Sequence, residues 1–124
     1  LFDMRIHGSA ADGDDFIAEQ LQKTREQVAV IQPPTFNRFQ HSFGHIFAGG
    51  YAAGYFSYKW AEVLSADAFS AFEETAVFDQ ETGQRFKQEV LEMGGSRTAA
   101  ENFKAFRGRE PEIEPLLRHS GIAA

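Results

Sequence analysis

The chain has 124 residues, 43% hydrophobic and 24% charged, a balance that suits one compact soluble unit and excludes a disordered chain. Its formal net charge of −6 comes with no dense run of Lys and Arg, so the footprint of a nucleic-acid binder is absent and an anionic membrane surface is disfavoured. The lack of cysteine excludes a disulfide framework and thiolate metal sites and suits a reducing cytoplasm, and no apolar stretch approaches the ~18–20 residues needed to span a bilayer.

In chain order, residues 1–11 read as an entry segment without the basic leader and apolar run of a signal peptide. Leu1 already stands in an apolar pattern, so the sequence is expected to continue something longer. Asp12-Gly-Asp-Asp15 offers N-cap carboxylates, and Ile17, Leu21, Val28 and Ile31 recur at near-helical spacing, predicting a helix over about 14–30. Pro33-Pro34 stops it, since Gln32 is pushed out of the helical region and neither proline can donate. Residues 32–50 read as a loop, with room for a short helix in the aromatic, His-rich stretch Phe36–Phe47 and a mobile turn at Gly49-Gly50.

One long helix is predicted over about 51–78, a stretch without proline and rich in Ala, Glu, Leu and Lys. Phe56, Trp60, Val63 or Leu64, Phe69 and Phe72 mark its packing face, while Tyr51, Tyr55, Tyr58 and Glu62 form a second stripe on another side. Further helices are predicted over about 81–92, closed by Gly94-Gly95, and about 98–107, opened by the capping-box spacing of Thr98 and Glu101. A short helix over Pro115–His119 ends the series. No strand is convincing, and the fold class is all-α.

Four patterns could carry chemistry. His41 and His45, four residues apart, have the spacing of two zinc ligands on a helix, but Ser42 stands where a general-base Glu would follow and Gly44 weakens the helix. The stretch from Ala48 to Gly54 matches neither the dinucleotide nor the Walker glycine pattern, so a loop that passes close to a peptide explains its glycines better. Three phenols beside His45 just after a double glycine can donate hydrogen bonds to carbonyl oxygens, and such donors gain strength as the oxygen gains charge; a satisfied core tyrosine is an equally good reading of the spacing. Arg107-Gly-Arg109-Glu110-Pro111 reads as a solvated turn with ion pairs, or as an anchor for a neighbouring domain, and Glu73-Glu74 as a solvated helix face.

The run from His45 through the Gly-Gly loop and Tyr51, Tyr55 and Tyr58 to Trp60 resembles the thimet-oligopeptidase family of zinc peptidases, most closely its bacterial oligopeptidase A branch. The resemblance continues through Ala61–Phe69, Gly94-Gly-Ser96, Phe106–Pro111 and Leu117–Ile122, and Leu1–His7 fits the family's approach to this region. It implies the C-terminal part of a larger helical zinc peptidase that hydrolyses short peptides. His45 would bind substrate backbone, Tyr51 and Tyr58 would stabilise the tetrahedral intermediate, Tyr55 would lie on the substrate side, and Gly49 and Gly50 would form an adaptable loop. The family's His-Glu-x-x-His motif does not occur here, so the zinc ligands and the water-activating Glu are expected in preceding chain and the isolated piece is expected to be inactive. Thirteen Phe residues imply apolar surface that packs on that missing chain, with self-association of the isolated piece as the consequence. The alternative class is a non-enzymatic helical module that uses the tyrosine stripe to bind peptides or to oligomerise.

Overall fold

A computed structural model describes residues 1–10 and 13–122. The described residues are all-α, with seven α-helices, a 3₁₀ turn, a π-helical turn and no strand among them. They divide into two compact units, Leu1–Ser57 and Tyr58–Ala124, where the sequence reading expects one. Among the described residues no helix is long and apolar enough to cross a membrane.

In the first unit, α1 (Phe2–His7) packs beside α2 (Asp14–Val28), followed by α3 (Phe39–Ser42) and a 3₁₀ turn over Gly44–Ile46. Phe2, Leu21 and Ile46 form the buried core, with Ile6, Ile17, Phe43 and Tyr55 packed around it. Arg5 on α1 donates to Thr24 Oγ1 at 2.9 Å and Gln27 Oε1 at 2.6 Å, tying the two helices by their polar edges. The N-cap of α2 is Gly13, with Asp14 and Asp15 in the first turn; the Asp12 carboxylate expected to cap it lies outside the described residues. The helix stops at Val28, before the prolines, because Ala29 is extended and the β-branched Val30 and Ile31 have little helix preference. Gln32 donates its side-chain amide to the Arg25 carbonyl at 3.2 Å, where it joins the Ala29 N–H at 2.8 Å and ties the following loop back to the helix end.

The second unit is built on α4 (Ser57–Glu74), α5 (Gln80–Phe86) with its π-helical continuation Lys87–Leu91, α6 (Ala99–Arg107) and α7 (Glu114–His119). The helix expected over 51–78 therefore begins at Ser57 and ends at Glu74. Its buried face also differs from the expected one. Ala66, Asp67, Ser70 and Ala71 are buried, Val63 and Leu64 half-buried, and Phe56, Trp60 and Phe69 exposed. On α6, Phe103 and Phe106 are buried, and Phe106 meets Phe86 edge-to-face at 5.3 Å. Asp79 caps α5 through the Thr82 N–H at 2.7 Å. The capping box of α6 forms as the spacing predicts, Thr98 and Glu101 each accepting from the other's backbone N–H.

Asp67, fully buried on α4, is the polar centre of this unit. Arg109 grips both its oxygens, at 2.7 and 2.6 Å, and Oδ2 also accepts the Glu112 N–H at 2.7 Å. Ser70 Oγ lies 3.1 Å from Oδ1 and the buried Arg107 Nε 3.6 Å away. Arg107 reaches on to Glu74, and Glu73 takes Arg118 at 2.6 Å and His119 at 2.8 Å. The Arg107–Glu110 turn carries the ion pairs expected of it, with Gly108 and Glu110 exposed; beyond that, its arginines fasten the C-terminal segment to α4, and the exposed Glu73 and Glu74 are both engaged.

Burial pushes the Asp67 carboxyl up, but hydrogen bonds from Arg109, Glu112 and Ser70 outweigh it and hold the group below its ordinary value. Stability from Asp67 is therefore fully present above its unfolded value of about 3.9 and is lost as the pH falls through the lower folded value. Asp67→Ala is expected to cost about 3 kcal/mol, the low end for a broken buried pair because Arg109 keeps some solvent. Denaturant unfolding near pH 7 checks the loss. The gap between variant and parent should narrow on acidification below about pH 4; a gap independent of pH would contradict the account.

Candidate active-site segment

Residues 43–55 place an imidazole and two phenols around a double-glycine turn. Phe43, at φ −89° and ψ 64°, ends α3 and redirects the chain into the 3₁₀ turn that carries His45. The Phe47, Ala48 and Gly49 N–H groups all reach back to the Gly44 carbonyl at 3.1, 2.9 and 3.1 Å, and the Tyr51 N–H donates to the His45 carbonyl at 3.2 Å. These amides are consumed inside the loop, so they do not form an anion cradle. The phosphate reading of the glycines is unsupported.

Both glycines are demanded by the backbone, each for its own reason. A Cβ on Gly49 would lie 2.8 Å from both the Cα and the carbonyl oxygen of His45, a close approach that only glycine permits. Gly50 adopts φ +80°, which side-chain-bearing residues rarely take. The turn therefore presses its backbone against the residue whose imidazole is in question.

The rings gather on this turn. His45 lies 6.2 Å from Tyr51 and 5.8 Å from Tyr55 between ring centroids, and the two phenols are 6.1 Å apart at 85°. Phe43 backs the group, edge-on to Tyr55 at 4.8 Å. His45 is exposed while Tyr51 and Tyr55 are half-buried, so the cluster has a packed side and a solvent side. Tyr58, the remaining phenol of the sequence pattern, is an exposed residue in the first turn of α4 and belongs to the second unit.

The single helical stripe expected for Tyr51, Tyr55 and Tyr58 is thus corrected. Residues 51–56 are turns, closed by the Gly54 N–H on the Tyr51 carbonyl at 2.9 Å. Instead of donating to carbonyls four residues back, the Ala53 and Tyr55 N–H groups donate to the Asp3 carboxylate at 2.8 and 3.0 Å. Ala53 sits at φ +53°, the one non-glycine residue with positive φ among those described. Asp3, on α1, is a contributor that sequence patterning misses. Burial pushes its carboxyl up, but the Tyr55 and Ala53 N–H bonds and nearby His7 outweigh that and leave it lowered.

The zinc that the family resemblance implies does not fit the residues present. His41 lies on α3, which ends at Ser42, and His45 lies beyond the break at Phe43, so the two do not share a helix face. Among the described residues no group of three or more His, Cys, Asp or Glu could hold a metal ion.

The model of peptidase family M3 matches residues 1–122, and the chain belongs to that family. It is 53% identical over 98% of its length to oligopeptidase A of Salmonella typhimurium and 52% identical over the same share to a probable cytosolic oligopeptidase A of Arabidopsis thaliana. Its identity to the dipeptidyl carboxypeptidase of Salmonella typhimurium is 38%. In each case the chain spans 18% of the relative's length.

Gly49→Ala is expected to displace the His45 backbone, at a cost of about 1–3 kcal/mol typical of overpacking. The loss of His45–Tyr51 ring proximity in nuclear Overhauser spectra reads it. Gly50→Ala, strained but not clashing, should cost about 1–2 kcal/mol and preserve the ring contact. Equal behaviour of the two variants would count against the close approach as the cause.

Proposed function

We propose that this chain is the substrate-binding wall of a zinc-dependent oligopeptidase whose metal ligands and water-activating residue are supplied by the rest of the full-length protein. The clustering of His45, Tyr51 and Tyr55 on the glycine turn is the observation that carries the reading. Similarity to relatives named oligopeptidase A and dipeptidyl carboxypeptidase supports hydrolysis of short peptides as the activity.

In this reading no step of the chemistry passes through a metal held by this chain. His45, exposed at the turn, hydrogen-bonds the backbone of the bound peptide. Tyr51 and Tyr58 donate their phenolic protons to the carbonyl oxygen as it gains negative charge, where a fixed donor is worth more than it is to the ground state. Tyr55 lines the substrate side, and Gly49 and Gly50 let the turn adjust to the side chains of different peptides. A zinc ion held by residues elsewhere in the full-length protein would supply the activated water. The isolated chain is then inactive, and the full-length protein works in the cytoplasm, in keeping with the absence of cysteine and with a relative named as cytosolic.

Partners follow the same logic. Val30, Ile31, Phe36, Trp60 and Phe78 are exposed apolar residues, a pattern that suits burial against the rest of the protein. Light scattering of the isolated chain should show association that rises with concentration; a strict monomer across the range would contradict this.

The catalytic reading is tested in the full-length enzyme. Tyr58→Phe and Tyr51→Phe should each lower kcat by ~10²–10³ while changing KM much less, as loss of an oxyanion donor does. Steady-state hydrolysis of a quenched fluorescent peptide measures both constants. An unchanged kcat in the two variants would remove the assignment.

A further inference from the structure

We propose that Asp3, steadied by His7, is a positioning residue for the tyrosine turn: its carboxylate fixes the backbone at Ala53 and Tyr55 and thereby sets where the phenols stand. The inference rests on the reading of Tyr51 and Tyr55 as substrate-facing, and it concerns a residue that does not itself touch substrate.

The geometry divides the work between the two carboxylate oxygens. Oδ1 accepts the Ala53 N–H at 2.8 Å and Oδ2 accepts the Tyr55 N–H at 3.0 Å, across 50 and 52 residues of sequence. His7 Nδ1 lies 2.9 Å from Oδ1 and 2.9 Å from the main-chain carbonyl of Asp3, and its ring rests against Phe47 at 6.1 Å. Only an ionised carboxylate offers two acceptor oxygens in this fork. An asparagine would turn an NH₂ toward one of the two N–H donors and leave it unmet.

What the fork holds is a turn that would otherwise relax. Ala53 pays for φ +53° with backbone strain, and the Tyr55 amide leads directly to the ring that meets Phe43 and His45. Asp3 contributes almost no apolar surface, whereas its neighbour Phe2 is in the core. Its burial is therefore explained by the two amides it receives, not by packing.

The test uses full-length protein carrying Asp3→Asn, with hydrogen exchange of the segment 51–56 read by mass spectrometry beside peptide hydrolysis. Expected are exchange at the Ala53 and Tyr55 amides faster on the order of 10-fold, and a fall in kcat on the order of 10-fold from displaced donors, with exchange of α4 unchanged. His7→Leu keeps an apolar contact for Phe47 and removes the Nδ1 donor, and it covers the case in which Asp3→Asn does not fold. It should speed the same amides about threefold. Unchanged exchange in whichever variant folds would overturn the proposal. So would faster exchange with full kcat in Asp3→Asn when Tyr51→Phe lowers kcat. If Tyr51→Phe and Tyr58→Phe are both silent, the substrate reading fails, while faster exchange in Asp3→Asn still upholds the hold on the turn.

Discussion

A carboxylate taken out of water has to be met by donors, and each unit of this chain places irregular backbone around one such group. In the first unit Asp3 collects the Ala53 and Tyr55 amides and the His7 ring. In the second Asp67 collects the Arg109 guanidinium, the Glu112 amide and the Ser70 hydroxyl. The amides involved are those that helices do not use. Segments 51–56 and 108–112 can leave helical geometry because a helix-borne carboxylate elsewhere in the same unit accepts from them. The helices supply rigid mounts, and the two buried charges decide where the connecting chain runs.

This division explains what the sequence makes legible. The capping box of Thr98 and Glu101 joins residues within one turn, so its spacing alone identifies it. Gly108 ends α6 in the left-handed conformation for an equally local reason. Tyr51–Phe56 carries no such mark. Its composition favours helix, and the residue that diverts its amides lies on another helix far back in the sequence. The packing face of α4 fails for a related reason. Periodicity selects large residues such as Phe56 and Trp60, yet the interior takes Ala66, Asp67, Ser70 and Ala71, and Asp67 can lie there because Arg109 meets it.

The candidate site shows the same limits. Gly49 and Gly50 announce a turn, and the structure gives each a distinct need, close approach for one and positive φ for the other. That the turn brings His45, Tyr51 and Tyr55 into mutual ring contact is not deducible from spacing, since helical spacing would have placed the two tyrosines in register with Tyr58. Residue types and family resemblance identified the participants. Their arrangement depends on long-range bonds.

The energetics indicate why a turn can persist where a helix is locally preferred. Holding Ala53 in the left-handed region costs about 1–2 kcal/mol, and abandoning a helical start for residues 51–56 gives up a few backbone bonds that water or turns partly replace. Against this stand two hydrogen bonds to a buried, charged acceptor, worth about 1.5–3 kcal/mol each. The balance favours the turn only while Asp3 is ionised and in place. With either condition lost, the Ala53 and Tyr55 amides lose their acceptors and the strain at Ala53 is no longer offset. Relaxation of the turn would loosen the contact of Tyr51 and Tyr55 with His45, so the carboxylate on α1 holds a backbone that the local sequence alone does not favour.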